Sequence, residues 1–201
     1  MAIKERGRFL LVLAGGSSPC GVYQRLREAA ADWTNWHIFF GDERCLPADD
    51  PERNSKMAFD AWLSHVPIPP GQIHVMPAEL GAEAAAAAYN AVLSGIGEFD
   101  LVLLGLGEDG HTASLFPGHA LDRQPMLAAM PVFHAPKPPS ERVSLSAARL
   151  SQTRQVIFLV AGEGKRHAVQ QWRSGVFLPA QAITPKSVVD VYLDAAAANA
   201  G

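Results

Sequence analysis

The order of apolar and polar segments predicts an α/β fold, a doubly wound and mainly parallel sheet with helices on both faces. Three observations predict it. Short continuous apolar runs at 8–14, 37–40, 100–104 and 155–160 have the length and character of strands buried on both faces. Each run gives way within two residues to a glycine, where a strand ends and a ligand can approach the backbone. Segments with helical spacing separate the runs, and a parallel pair needs such a crossover.

Taken in order, 8–14 reads as the first strand, followed by Gly15, Gly16, Ser17 and Ser18 as a tight loop. Pro19 stands in the first turn of a helix running to residue 31, with Val22, Leu26 and Ala29 at helical spacing. Strand, glycine loop and helix N-terminus together suit an anion, because free backbone N–H groups and the positive end of the helix dipole converge there. A plain tight turn is the competing reading. The loop is neither the dinucleotide fingerprint nor a Walker loop.

The run 37–40 is the second strand, and Gly41, Asp42, Glu43 and Arg44 follow as a charged loop at its carboxyl end. Asn54 opens a helix to about 65, 72–76 reads as a short strand, and the alanine-rich stretch 79–94 reads as a helix. The strand 100–104 leads into Gly105–Gly107, then Glu108, Asp109, Gly110 and His111, and 112–114 can start a helix. Ligands bind at the carboxyl ends of parallel strands, so Asp109 and His111 on this loop are placed for acid–base work. An Asp-Gly turn needs no function by itself, since these residues favour turns everywhere. Further strands are expected at 131–135, 142–146, 155–160 and 188–192, with a proline-rich linker at 136–139 and a helix ending near 173.

The chain has 201 residues, of which 48% are hydrophobic and 18% charged, with no internal repeat and no long linker, so a single domain over 1–201 is expected. A net charge of −3 supplies no basic field for nucleic acid, and an anionic substrate must be held by local groups. Two cysteines, Cys20 and Cys45, make neither a disulfide framework nor a paired metal motif, which suits a cytoplasmic setting. The apolar run after Lys4, Arg6 and Arg8 is six residues long, short of the roughly 7–15 of a signal peptide, and nothing approaches the ~20 needed to span a bilayer. The expected partner is a small molecule, with no cofactor, metal, nucleic acid or membrane, and the expected state is a monomer or small homo-oligomer.

Four strand-end segments, AGGSSP (14–19), GDERCLPADDPERN (41–54), LLGLGEDGHTASLFPG (103–118) and PKPPSERVSLS (136–146), followed by AGEGK (161–165), together resemble the 6-phosphogluconolactonase family. The resemblance covers essentially the whole chain, and GEDGHTASLFPG is its most specific part. It implies a sheet of the type found in glucosamine-6-phosphate deaminase and ribose-5-phosphate isomerase. It also implies hydrolysis of 6-phospho-D-glucono-1,5-lactone to 6-phosphogluconate, a step of the oxidative pentose phosphate pathway.

On that resemblance His111 is the general base, and Asp109 orients or polarises it. Arg44 faces the oxyanion or the phosphate, held in place by Asp42 and Glu43. Gly16, Ser17 and Ser18 cradle the phosphate with Arg142 and Lys165 as clamps, and Asn54 and Gly110 complete the substrate contacts. The family's usual Ser-Asn-Tyr reads Arg53-Asn54-Ser55 here, which leaves Arg53 free to meet an anion. Its Ile-Thr-Leu-Thr reads Val143-Ser144-Leu145-Ser146, and its N-terminal helix is expected to be truncated, leaving an apolar strip exposed. A deaminase is the nearest alternative, but the stretch Ser114-Leu115-Phe116-Pro117 lacks the carboxylate that its ring-opening chemistry uses. A sugar-phosphate-sensing module of a regulator is the alternative of another class, and retention of His111 argues against it.

Overall fold

The computed structural model describes residues 2–119 and 127–198. The chain runs α1 (Ala2–Arg6), β1 (Phe9–Leu13), α2 (Ser17–Leu26), β2 (Trp36–Phe40), β3 (Asp42–Arg44), α3 (Asn54–Ala61) and α4 (Ala82–Leu93). It continues through β4 (Leu101–Gly105), β5 (Ala129–Val132), β6 (Arg142–Leu145), α5 (Ala147–Ser151), β7 (Gln155–Val160), α6 (Arg166–Arg173), β8 (Val188–Leu193) and α7 (Ala195–Ala198).

The apolar runs pair in parallel, in the order β2-β1-β4-β7-β8. The inner strands are covered on both faces, and Val12, Ile38, Phe39, Val102, Val156 and Phe158 are fully buried, whereas the edge strand β8 leaves Val188, Val191 and Tyr192 exposed. This explains why these strands are continuously apolar instead of alternating. From β1 the chain moves first outward to β2 and later across to β4, so the strand order reverses between β1 and β4. Such a reversal opens a crevice at the carboxyl ends of the two strands.

A second, antiparallel sheet, β3-β6-β5, corrects the sequence reading of 41–44 as a loop and of 142–146 as one more parallel strand. The chain passes from one sheet to the other over Gly41, whose N–H bonds the Leu13 carbonyl at 2.9 Å while its own carbonyl accepts from the Leu145 N–H at 2.8 Å. Asp42, Glu43 and Arg44 therefore run in register with β6, opposite Ser144, Val143 and Arg142.

Other boundaries also move. The expected strand at 72–76 is a 3-10 turn, Pro70–Gln72, plus a single bridge between Ile38 and Ile73, since Pro69, Pro70 and Pro77 remove ladder donors. No helix starts at 112–114: Ala113 takes φ 47° and Thr112 bridges Leu115, closing a turn under the loop. The first long helix stops at Leu26, α3 at Ala61, and the expected 79–94 helix is α4 preceded by a 3-10 turn at Ala78–Leu80. The strand expected at 131–135 is β5.

Beside β2, the His74 ring stacks on Phe39 at 4.5 Å and on His37 at 5.8 Å, and its Nε2 is buried without a hydrogen-bond partner. Burial pushes both imidazoles below their ordinary range, with Arg8 adding to the effect on His37 and His37 to that on His74. The unfolded chain then binds protons that the folded chain refuses, so stability falls as the pH drops below about 6.5. The urea midpoint is expected to be lower at pH 5.5 than at 7.5, and His74→Phe is expected to shrink that difference. An unchanged pH dependence in the variant removes His74 as its source.

Candidate active site

The crevice between β1 and β4 holds a cavity of about 340 Å3. Its floor is backbone: Gly15 and Gly16 from the end of β1, Gly41 from the crossing, and Gly105 to Gly107 from the end of β4. Two chemical halves meet over that floor.

The first half is the loop after β4. His111 Nδ1 lies 2.5 Å from an Asp109 oxygen, which also accepts the His111 N–H at 3.2 Å. With Nδ1 engaged, the imidazole presents Nε2 as its free nitrogen. Burial by itself raises the Asp109 carboxyl, but hydrogen bonds and charge from His111 outweigh it and hold the group below its ordinary range. The imidazole packs on the Phe116 ring at 4.7 Å, and the same ring has the Arg142 guanidinium 5.5 Å from its centre.

Two glycines permit the loop. A Cβ on Gly107 would stand 2.0 Å from His111 Nδ1, so only hydrogen fits there. Gly110 takes φ 83°, and a Cβ on it would lie 2.6 Å from a Leu178 methyl. Leu178 thus presses on the loop from a segment far along the chain, where Ala180 N–H also bonds the Gly110 carbonyl at 3.4 Å.

The second half is the small sheet. Asp42 and Arg44 alternate with Glu43 along β3, so period two sends Asp42 and Arg44 to the cavity and Glu43 away from it. Arg44 Nη1 donates to the Glu52 carbonyl at 2.7 Å, while its buried Nε meets no acceptor among the described residues. Arg142, opposite Arg44 on β6, donates from Nε and Nη2 to the carbonyls of Lys137, Pro138 and Pro139. It thereby holds the turn that carries Lys137 into the cavity wall. Lys165, from the turn after β7, completes the cationic lining.

Asp42 is buried, and burial raises its carboxyl above the ordinary range against the opposing pull of the Ser114 hydrogen bond and of the Arg142 and His111 charges. Asn54 Nδ2 donates to its Oδ1 at 3.1 Å and Ser114 Oγ to its Oδ2 at 2.6 Å.

Of the residues expected from the sequence, Gly16, Asp42, Arg44, Asn54, His111, Arg142 and Lys165 border the cavity. Asp109 stands behind His111, and Gly110 supports the loop from below. Ser17 and Ser18, the first residues of α2, do not border the cavity; the glycines before them do.

Glu43 does not reach the cavity either. It is wholly buried, and its carboxylate accepts the N–H groups of Arg44, Asn54 and Ser55 at 2.9, 2.7 and 2.8 Å. The Arg44 guanidinium is therefore steadied by the Glu52 carbonyl, while Glu43 holds only its backbone N–H. Arg53 is buried as well, with Nε 3.4 Å from Glu43, Nη1 2.7 Å from Glu79, and Nη2 on the Met76 carbonyl. It is an internal ion partner and not an open anion contact. Sequence reasoning passed over Lys137, read as part of a linker, and Ser114, read as part of a helix. The signal for Lys137 was a cation between prolines beside a strand-end motif.

Residues 1–192 match the family described as glucosamine-6-phosphate isomerases/6-phosphogluconolactonase. Among curated proteins, the chain is 41% identical over 182 residues to the 6-phosphogluconolactonase of Mycobacterium leprae, covering 84% of this chain and 74% of that protein. It is 36% identical over 215 residues to the chloroplastic 6-phosphogluconolactonase 3 of Arabidopsis thaliana, with 98% of this chain covered and 66% of the relative. The chain thus spans just under two thirds of that plant relative. Among solved structures, the 6-phosphogluconolactonase of Thermotoga maritima superposes with a TM-score of 0.88 at 29% identity, covering 95% of this chain and 87% of that one. The Trypanosoma brucei 6-phosphogluconolactonase gives 0.86 at 29%, covering 96% and 86%. A monomeric glucosamine-6-phosphate deaminase gives 0.83 at 24%, a likeness of fold. The chain belongs to the glucosamine-6-phosphate isomerase/6-phosphogluconolactonase family.

Proposed function

We propose that this chain is a 6-phosphogluconolactonase, opening 6-phospho-D-glucono-1,5-lactone to 6-phosphogluconate in the oxidative pentose phosphate pathway with His111 as general base. The observation that carries the reading is a His–Asp pair facing a cavity ringed by Arg44, Lys137, Arg142 and Lys165. The names carried by the relatives point to the same substrate.

Water attacks the lactone carbonyl while His111 Nε2 takes its proton. Asp109 steadies the imidazolium that forms. The tetrahedral oxyanion develops toward the cationic wall, where the Arg44 Nε–H has no acceptor among the described residues. The C1–O5 bond then breaks, and the imidazolium returns its proton to the ring oxygen. The phosphate lies against the amides at Gly15 and Gly16, beside the N-terminus of α2, and against Lys137, Arg142 and Lys165. The deaminase alternative is disfavoured at the positions that follow His111: Leu115 and Phe116 are buried apolar residues, and no carboxylate stands there.

The test generates the lactone in situ from glucose 6-phosphate and follows product with 6-phosphogluconate dehydrogenase. Hydrolysis well above the spontaneous rate is expected. A rate equal to the background, with ammonia released from glucosamine 6-phosphate instead, transfers the chain to the deaminase reading.

A further inference from the structure

We propose that Ser114 is a positioning residue, whose hydroxyl holds the Asp42 carboxyl group beneath the cavity in one orientation. Three separate elements converge on that carboxylate. β3 supplies Asp42, the first residue of α3 supplies the Asn54 amide on Oδ1, and the turn after His111 supplies the Ser114 hydroxyl on Oδ2.

The direction of the Ser114 hydroxyl is set in advance. Ala113 before it is held at φ 47°, Thr112 bridges Leu115, and Thr112 Oγ1 is tied to the Gly105 carbonyl at 2.8 Å. The Ser114 N–H points to Ser144 Oγ at 3.3 Å, on the β6 residue directly opposite Asp42. Ser114 is 2% exposed, so water does not replace a lost hydroxyl without rearrangement.

The charged groups facing Asp42 are Arg142 on β6, Glu43 beside it on β3, and His111 on the loop after β4. Arg142 attracts the carboxylate but makes its hydrogen bonds elsewhere, to the carbonyls of 137–139. The short bonds that hold the anion are those from Ser114 and Asn54. A buried carboxylate with one donor removed takes up a proton more readily, and its oxygen is freed to turn. Because Ser114 lies three residues from His111 on one turn, the same turn places the base and holds the anion across the cavity.

The experiment is a double-mutant cycle of Ser114→Ala and Asp42→Asn, read by kinetics and by stability. The kinetic part rests on the lactonase reading above. Ser114→Ala is expected to lower kcat/KM at pH 7 by about ten- to a hundredfold, the range that one hydrogen bond to a charged group accounts for. In an Asp42→Asn background it is expected to change the rate little.

The stability part needs no substrate. The deficit of Ser114→Ala against wild type is smallest where Asp42 is protonated in both proteins. It grows as the pH rises through the Asp42 titration, and in the Asp42→Asn background it is flat with pH. Additive rate losses, or a deficit independent of pH in the wild-type background, overturn the proposal. If the wild type fails to hydrolyse the lactone, the functional reading falls and the stability titration alone decides the role of Ser114.

Discussion

Replacing His111 with alanine is expected to lower kcat by roughly 10²–10⁴-fold while KM changes little, the loss that follows removal of a positioned general base. The expectation rests on geometry. Asp109 occupies Nδ1, so the deleted nitrogen is the one turned to the cavity, while the phosphate contacts come from other elements and stay in place. His111→Asn keeps a polar group of similar reach without a titrating nitrogen, and it is expected to fall as far as alanine. Steady-state kinetics over the spontaneous hydrolysis of the lactone measure both. A kcat within a fewfold of wild type assigns the proton transfer to another group.

Glu43→Ala is expected to be the most destabilising substitution near the site, costing about 3–5 kcal/mol, as when one partner of a buried ion pair is removed. Glu43 performs three tasks at once. It accepts the N–H groups of Asn54 and Ser55 at the start of α3, a position where a carboxylate also meets the positive end of the helix dipole. It takes the Arg44 N–H, and it faces Arg53 inside the protein. Alanine leaves these amides without an acceptor and Arg53 with Glu79 alone. Glu43→Gln keeps the shape and an acceptor oxygen, and it is expected to lose less. Urea midpoints at constant m-value report the difference; a loss below 1 kcal/mol for alanine contradicts the role. Because Asn54 and Arg44 border the cavity, a raised KM is expected to accompany the lost stability.

The contrast between His111 and Glu43 shows what the sequence made legible. Local signals were enough for the parallel strands, since a continuous apolar run closed by glycine describes a strand covered on both faces. They were enough for the loop of Asp109 and His111 too, because its residues are neighbours in sequence. The antiparallel sheet was hidden. Asp42, Glu43 and Arg44 form three consecutive charges, and their partners lie about a hundred residues later, at Ser144, Val143 and Arg142. Only that pairing shows that alternate residues face opposite ways, which is why Glu43, expected to hold Arg44 at the site, lies inside the protein instead. Leu178 against Gly110, and the turn held by Arg142 that presents Lys137, are long-range contacts of the same sort.

Gly41 gives the chain one hinge-like residue between its two sheets, and the seam it creates divides the chemistry. The His111–Asp109 pair belongs to the large sheet, through the loop after β4. Asp42, Arg44 and Arg142 belong to the small one. On the proposed reading, the proton-transfer pair rides on the large sheet, while part of the cationic wall is carried by the small one. Laboratory evolution toward lactones of other size or charge then has a natural target in the small sheet and the turn after β5, where sequence can be randomised while the His–Asp pair is left intact.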